Sequence, residues 1–343
     1  MRLALAMAIA MGCGAPPDGP PTTDWEFPLE TWTWVDVPGM VCGNGSPTGI
    51  AINPSTRSER LVILFEGGGA CWEAASCYGI LVPVAASHLD GFNGQTFEDS
   101  IRPTLDQHWM LQRTDPASLF GDASLVFVPY CTGDLHAGTQ DTVYEALGQQ
   151  RTMHHQGAAN VDAMLARLSR YSVSEVFAIG ISAGGYGVEL NWDRIAAAFS
   201  GTTTHILADG SQLVPFEAGR WATISQRWAP RFPARCTDCV NGLNFVAAFW
   251  RTNPPADGGR FGLIASLQDA VLSLYFGYDA NGMRDASLAI ATAMTGMEGA
   301  FMLDNNTHTR LAAPESTTST GVILRPWVEA WANGGATFMT VGP

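Results

Sequence analysis

The sequence predicts an α/β fold: a doubly wound, mostly parallel sheet with helices on both faces. Three observations carry that expectation. Short, continuous apolar runs rich in Val, Ile, Leu and Phe recur from residue 61 onward, as strands buried on both faces require. Stretches with apolar residues at helical spacing lie between them, so strand and helix alternate. Apolar residues make up 46% of the 343-residue chain and charged residues only 15%, enough to fill such an interior and the opposite of a disordered composition.

The elements follow in chain order. "MRLALAMAIAMGC" sets one positive charge, Arg2, before an apolar stretch from Leu3 to Met11. That stretch is too short to span a bilayer and suits a signal-peptide core. It ends in Ala10-Met11-Gly12-Cys13, which has the form of a bacterial lipobox, so residues 1–12 are expected to be cleaved and Cys13 to carry lipid. Residues 13–24 read as a flexible tether rich in Pro, Gly and Thr, and 25–343 as a single domain.

Strands are expected at "LVILF" (61–65), "LVFVPY" (125–130), "VFAIGIS" (176–182), "HILADG" (205–210), "FGLIASLQD" (261–269) and "AFMLDN" (300–305). Helices are expected at "NVDAMLARLSR" (160–170), where Val161, Met164, Leu165 and Leu168 share one face, at "VELNWDRIAAAF" (188–199) and at "RPWVEAWANG" (325–334). Residues 211–258, rich in Trp, Pro and Arg, break the alternation and read as a lid-like insertion over the site or a plain surface insertion.

Composition excludes several functions. Net charge is −14 and all 18 basic residues are arginine, so no lysine can serve a P-loop, a Schiff base or a serine–lysine dyad. Without a clustered basic face, nucleic acid is not an expected partner. Apart from Cys13 there are six cysteines (Cys42, Cys71, Cys77, Cys131, Cys236 and Cys239), an even set that in an exported chain implies three disulfides. Cys236-Thr-Asp-Cys239 has the form of half a zinc site, but no second ligand pair has matching spacing, so a disulfide is preferred. No motif calls for a metal or a cofactor.

The chemistry gathers at strand ends, where open α/β sheets place their sites. Gly180-Ile181-Ser182-Ala183-Gly184 is a G-x-S-x-G between an apolar strand and a helix, the setting of a nucleophile elbow. Its glycines, Gly180 and Gly184, let strand and helix come close while Ser182 points up from the sheet. A serine hydroxyl needs a base, and the base needs an acid to orient it. Of seven histidines, only His308, in "LDNNTHTRL", lies in a loop beyond the last strand. Two aspartates end strands after the elbow; Asp269 is preferred as the acid because it lies one strand further along, and Asp209 is the alternative. An oxyanion hole needs two N–H donors. Ala183, after the nucleophile, supplies one; the glycine run Gly67-Gly68-Gly69 in "LVILFEGGGACW" supplies the other, with Glu66 as a loop anchor.

Together, "LFEGGGACW" (64–72), "VFVPYCTGD" (126–134), "GISAGGYG" (180–187), "LADG" (207–210), "LIASLQDA" (263–270) and "NTHTR" (306–310) resemble the pectin acetylesterase family, which includes the carboxylesterase Notum. The resemblance runs from about residue 40 to residue 310. It implies an α/β-hydrolase-like serine esterase without a cofactor, with Ser182 as nucleophile, Asp269 as acid, His308 as base, and Gly68, Gly69 and Ala183 around the oxyanion. It also implies the pairs Cys42–Cys131 and Cys71–Cys77, leaving Cys236 with Cys239. Gly69 stands where Notum has tryptophan, and residues 211–258 match poorly.

The expected protein is therefore an extracytoplasmic esterase, lipid-anchored through Cys13 or else secreted, acting on O-acyl esters. By resemblance the substrate is an O-acetylated glycan. Two alternatives stand beside it: an esterase for longer acyl chains or polyesters, and a non-catalytic surface binding protein on a hydrolase scaffold.

Overall fold

The computed structural model describes residues 22–78, 84–236, 239, 258–294 and 296–343. The leader 1–12, Cys13 and most of the tether lie outside the described residues. So do residues 237, 238 and 240–257 of the lid-like insertion.

Ten strands form: β1 (Thr33–Val41), β2 (Pro47–Asn53), β3 (Arg60–Phe65), β4 (Ser124–Val128), β5 (Gln140–Ala146), β6 (Gln149–His155), β7 (Glu175–Ile181), β8 (Thr203–Asp209), β9 (Phe261–Ser266) and β10 (Glu298–Leu303). Eight make one sheet in the order β1-β2-β4-β3-β7-β8-β9-β10, while β5 and β6 pair as a separate hairpin. From β4 to β10 every neighbour is parallel. The sheet is extended at one edge by β2 and β1, both antiparallel. The six expected strands are thus the parallel ones, and the antiparallel pair is an addition the sequence reading lacked.

Alternate residues of each parallel strand feed opposite faces, which is why the runs are apolar without interruption. In β3, Leu61, Ile63 and Phe65 join one core with Val161 and Met164 of helix α1 (Gly157–Leu168) and Val188 of helix α2 (Ala183–Ala198). Val62 and Leu64 join the other core, with Phe177, and with Trp327 and Trp331 of the C-terminal helix (Leu324–Asn333). Three disulfides join Cys42 to Cys131 and Cys71 to Cys77, the pairs the resemblance implied, and Cys236 to Cys239, the pair left over.

This winding sends all parallel strands toward one rim. Ser182, Asp209, Asp269 and His308 sit at or shortly after the carboxyl ends of β7, β8, β9 and β10, four strands adjacent in the sheet.

Candidate active site

Ser182 lies between β7 and α2 with φ 56° and ψ −121°. A residue with a side chain pays for that left-handed posture in strain, and the surroundings must hold it there. They do so by close packing. A Cβ at Gly180 would overlap the Gly184 carbonyl oxygen, and one at Gly184 would overlap the Phe65 carbonyl, so neither position admits a larger residue. The helix starts directly at Ala183, five residues before the stretch read as helical from the sequence.

The hydroxyl so presented meets an imidazole. Ser182 Oγ stands 2.8 Å from His308 Nε2, and His308 Nδ1 stands 2.8 Å from Asp269 Oδ2. An ionised carboxylate only accepts, so the ring proton sits on Nδ1 and Nε2 is free to accept from the serine. Asp269 is itself fixed: it caps the helix α3 (Ala270–Phe276), its Oδ1 accepting from the N–H groups of Val271 (3.0 Å) and Leu272 (2.9 Å), and it is fully buried. A chain of this geometry can draw a proton from the hydroxyl as the oxygen attacks a carbonyl.

The other strand-end aspartate is used differently. The carboxylate of Asp209 accepts from the Arg310 N–H, at 2.9 and 2.7 Å to its two oxygens, and from the Leu311 N–H at 2.7 Å. It touches neither ring nitrogen of His308. Burial pushes its carboxyl up to about 6, against the pull of those donors.

Around the serine lies a cavity of about 500 Å³. One wall is the glycine run, Gly67 to Gly69, facing Ala183. The N–H groups of Gly68, Gly69 and Ala183 meet no backbone acceptor among the described residues, which leaves them available to a developing oxyanion. Gly68 has φ 147° and Gly69 φ 78°, and a side chain at 69 would strike the Ala85 carbonyl and the Tyr275 hydroxyl. Here the backbone demands glycine. The remaining lining is mostly apolar, from Leu135, Phe216, Trp228, Leu272, Tyr275 and Phe276, with Phe216 stacked on Phe276 at 4.0 Å between centroids; Ser87 and Thr309 add hydroxyls. Sequence reasoning had named none of the first six. Phe216 and Trp228 come from the described part of the presumed insertion, so that part supplies wall.

Glu66 stands behind the glycine run, outside the cavity lining. Its Oε2 accepts from the Tyr130 N–H at 2.8 Å, and burial pushes its carboxyl up to about 8. A group so raised is protonated at neutral pH and serves as an anchor of the loop. Among the other histidines, burial lowers His136 and His155 to about 4 and His205 to about 3, which keeps them neutral. Among the described residues the only grouping of potential metal ligands is Cys71, Cys77 and His155, and its two sulfurs are bonded to each other.

Comparison with known proteins gives three findings. The family model described as Pectinacetylesterase matches residues 30–217. Among curated relatives, the palmitoleoyl-protein carboxylesterase NOTUM of Schmidtea mediterranea is 26% identical over 223 residues, covering 57% of this chain and 40% of that protein. The Homo sapiens NOTUM is 25% identical over 169 residues, 46% of this chain and 30% of that protein. An inactive palmitoleoyl-protein carboxylesterase notum1b of Danio rerio is 28% identical over 125 residues, 35% of this chain and 77% of that protein. The chain thus spans two fifths or less of the first two relatives' length. Among solved structures, the Wnt deacylase Notum from Drosophila superposes with a TM-score of 0.62 at 17% identity, over 90% of this chain and 94% of that one, a likeness of fold.

Proposed function

The chain belongs to the pectinacetylesterase family, and from that premise we propose that it is a serine carboxylesterase acting on O-acyl esters through Ser182, His308 and Asp269. Ser182 Oγ attacks the ester carbonyl carbon while its proton passes to His308 Nε2. The carbonyl oxygen becomes an oxyanion held by the N–H groups of Gly68, Gly69 and Ala183; each such donor contributes about 3–4 kcal/mol to transition-state stabilisation. The tetrahedral intermediate collapses, His308 returns the proton to the departing alkoxide, and an acyl-serine remains. Water then attacks that acyl group, giving its proton to His308. The second intermediate releases the carboxylic acid and restores the serine hydroxyl. Asp269 holds the imidazolium throughout.

The observation that carries this reading is the pair of 2.8 Å contacts linking serine, imidazole and buried carboxylate. The inactive relative in Danio rerio keeps the binding-protein alternative in view. A fluorophosphonate probe decides between them: labelling of the folded protein, lost in Ser182→Ala, supports the esterase, and a folded wild type that takes no label sinks it.

The cavity bears on the acyl group. A methyl displaces about as much volume as a water, ~30 Å³, so an acetyl leaves most of the 500 Å³ unused. The apolar walls favour the alternative of a longer acyl chain over the acetyl expectation. Each methylene buried contributes about 0.8 kcal/mol, or roughly fourfold in kcat/KM. Over a p-nitrophenyl ester series, kcat/KM is therefore expected to climb from acetate to about eight carbons or more. A maximum at acetate would restore the O-acetylated glycan as substrate.

Three disulfides point to an oxidising compartment, hence an extracytoplasmic enzyme. With the lipobox-like "AMGC", we read the mature chain as starting at a lipidated Cys13. The intact mass of the mature N-terminus tests this: a diacylated cysteine is expected, and an unmodified one overturns the anchor.

A further inference from the structure

Asp209 has no part in the reaction just described, yet it is fully buried and holds two parts of the site at once. Its carbonyl oxygen accepts from the Ser182 N–H at 2.7 Å. Its carboxylate takes the three hydrogen bonds from Arg310 and Leu311, the residues two and three beyond His308. Between His308 and Arg310 stands Thr309 at φ 57°, a left-handed posture that a non-glycine residue holds only when its neighbours fix it. Gly210, the next residue, has φ 65° and packs so closely under the loop that a Cβ there would lie 3.0 Å from Thr309 Cγ2 and 3.2 Å from His308 Cε1.

We infer that Asp209 is a positioning residue that sets the distance from Ser182 to His308, fixing the nucleophile with its main chain and the histidine loop with its side chain. The inference rests on the esterase reading above. Its physical content is that both partners are referred to one residue at the end of β8. The loop can slide or rotate only by giving up hydrogen bonds that nothing else in the interior replaces. The groups facing the carboxylate are consistent with this duty: His308 favours its charge and Asp269 opposes it, but neither is close enough to bond with it. An amide at this position would turn an NH₂ toward one of the N–H groups. Asp209→Asn therefore keeps the shape and breaks the fit.

Steady-state kinetics on a p-nitrophenyl ester, with circular dichroism to verify folding, gives the test. Asp209→Asn is expected to lower kcat about 100-fold, the effect of a misplacement near 1 Å, and to slow fluorophosphonate labelling in parallel. KM should move by no more than about twofold, because the apolar walls from Leu135, Phe216, Trp228, Leu272, Tyr275 and Phe276 lie outside the loop that Asp209 holds. In a His308→Ala background the same substitution should change residual activity by less than about twofold, since it acts only through the histidine. A merely structural residue would lower both backgrounds alike. Gly210→Ala, which presses on the loop from below, should reproduce the loss in kcat. Where Asp209→Asn does not fold, Asp209→Ser, with a smaller acceptor, is read in the same way. Unchanged kcat in folded Asp209→Asn overturns the inference, as does equal loss in both backgrounds or failure of both variants to fold. Each of these requires an active wild type; a wild type without turnover or label overturns the esterase reading instead.

Discussion

Asp209 ends β8 and Asp269 follows the neighbouring β9; they are equally inaccessible to water and serve the same loop, but they do different work. Asp269 offers one oxygen to two N–H groups of a helix start and the other to the imidazole. Asp209 offers both oxygens to main-chain N–H groups that never gain or lose a proton. Burial and charge are shared; the donors differ. The lesson is that a buried carboxylate near a reacting group takes its role from the proton it faces.

The comparison can be broken by substitution. The largest effects are expected where the reacting atoms themselves are removed: Ser182→Ala and His308→Ala should each lower kcat on the order of 10⁵–10⁶-fold with little change in thermal stability. Asp269→Asn should follow, at about 10⁴-fold, because the imidazole then rests in the wrong tautomer. Asp209→Asn is expected to lie about two orders below that. If kinetics show it to be the more damaging of the two, the roles assigned to these aspartates are exchanged. The acyl-length series reads a smaller effect, a few-fold per carbon, and tests the cavity without touching either carboxylate.

The smallest effect concerns stability, and Glu66 supplies it. Its carboxyl lies near 4.5 unfolded and about 8 folded, so the folded state holds a proton that the unfolded chain releases. The resulting stability is complete below about pH 4.5 and is lost as pH rises through 8. Asp134 and Asp209, raised to about 6, lose theirs mostly below pH 7. Between pH 7 and 9 the decline is shared by Glu66 and Glu189, whose complete burial also raises its carboxyl well above the usual carboxylate range. Glu66→Gln, which mimics the protonated acid, should flatten that part of the profile by on the order of 1 kcal/mol in urea titrations. An identical slope in both proteins would detach the carboxyl from the effect.

How much of this was legible beforehand follows from the kind of contact involved. The parallel strands announced themselves because two buried faces leave no room for polar residues, as in "LVILF" and "VFAIGI". The antiparallel edge did not: "TWVDVPGMV" in β1 alternates irregularly, and its pairing with β2 slips between Asp36 and Val41. Ser182, Asp269 and His308, which the structure brings together, were visible through residue type and chain order. The duty of Asp209 was hidden because its partners are main-chain N–H groups, which every residue but proline possesses. The apolar cavity was hidden too, since Phe216, Trp228 and Tyr275 look like any core aromatics until the backbone bends them toward one space.

The glycine run has a consequence for substrate binding. Gly67, Gly68 and Gly69 are the residue type with most conformational freedom, yet the chain is clamped on both sides of them. Upstream, the Glu66 N–H donates to Val128 and its carboxyl accepts from Tyr130; downstream, the Cys71 N–H donates to Gly133, Cys71 is bonded to Cys77, and its carbonyl accepts from the Trp228 indole. Across the gap, the Gly68 carbonyl accepts from the Ser87 N–H. The entropy that three glycines would surrender on meeting a ligand has already been surrendered in folding. On the proposed mechanism, an ester arriving here would find its electrostatic cradle rigid in advance, made from the softest stretch a polypeptide can offer.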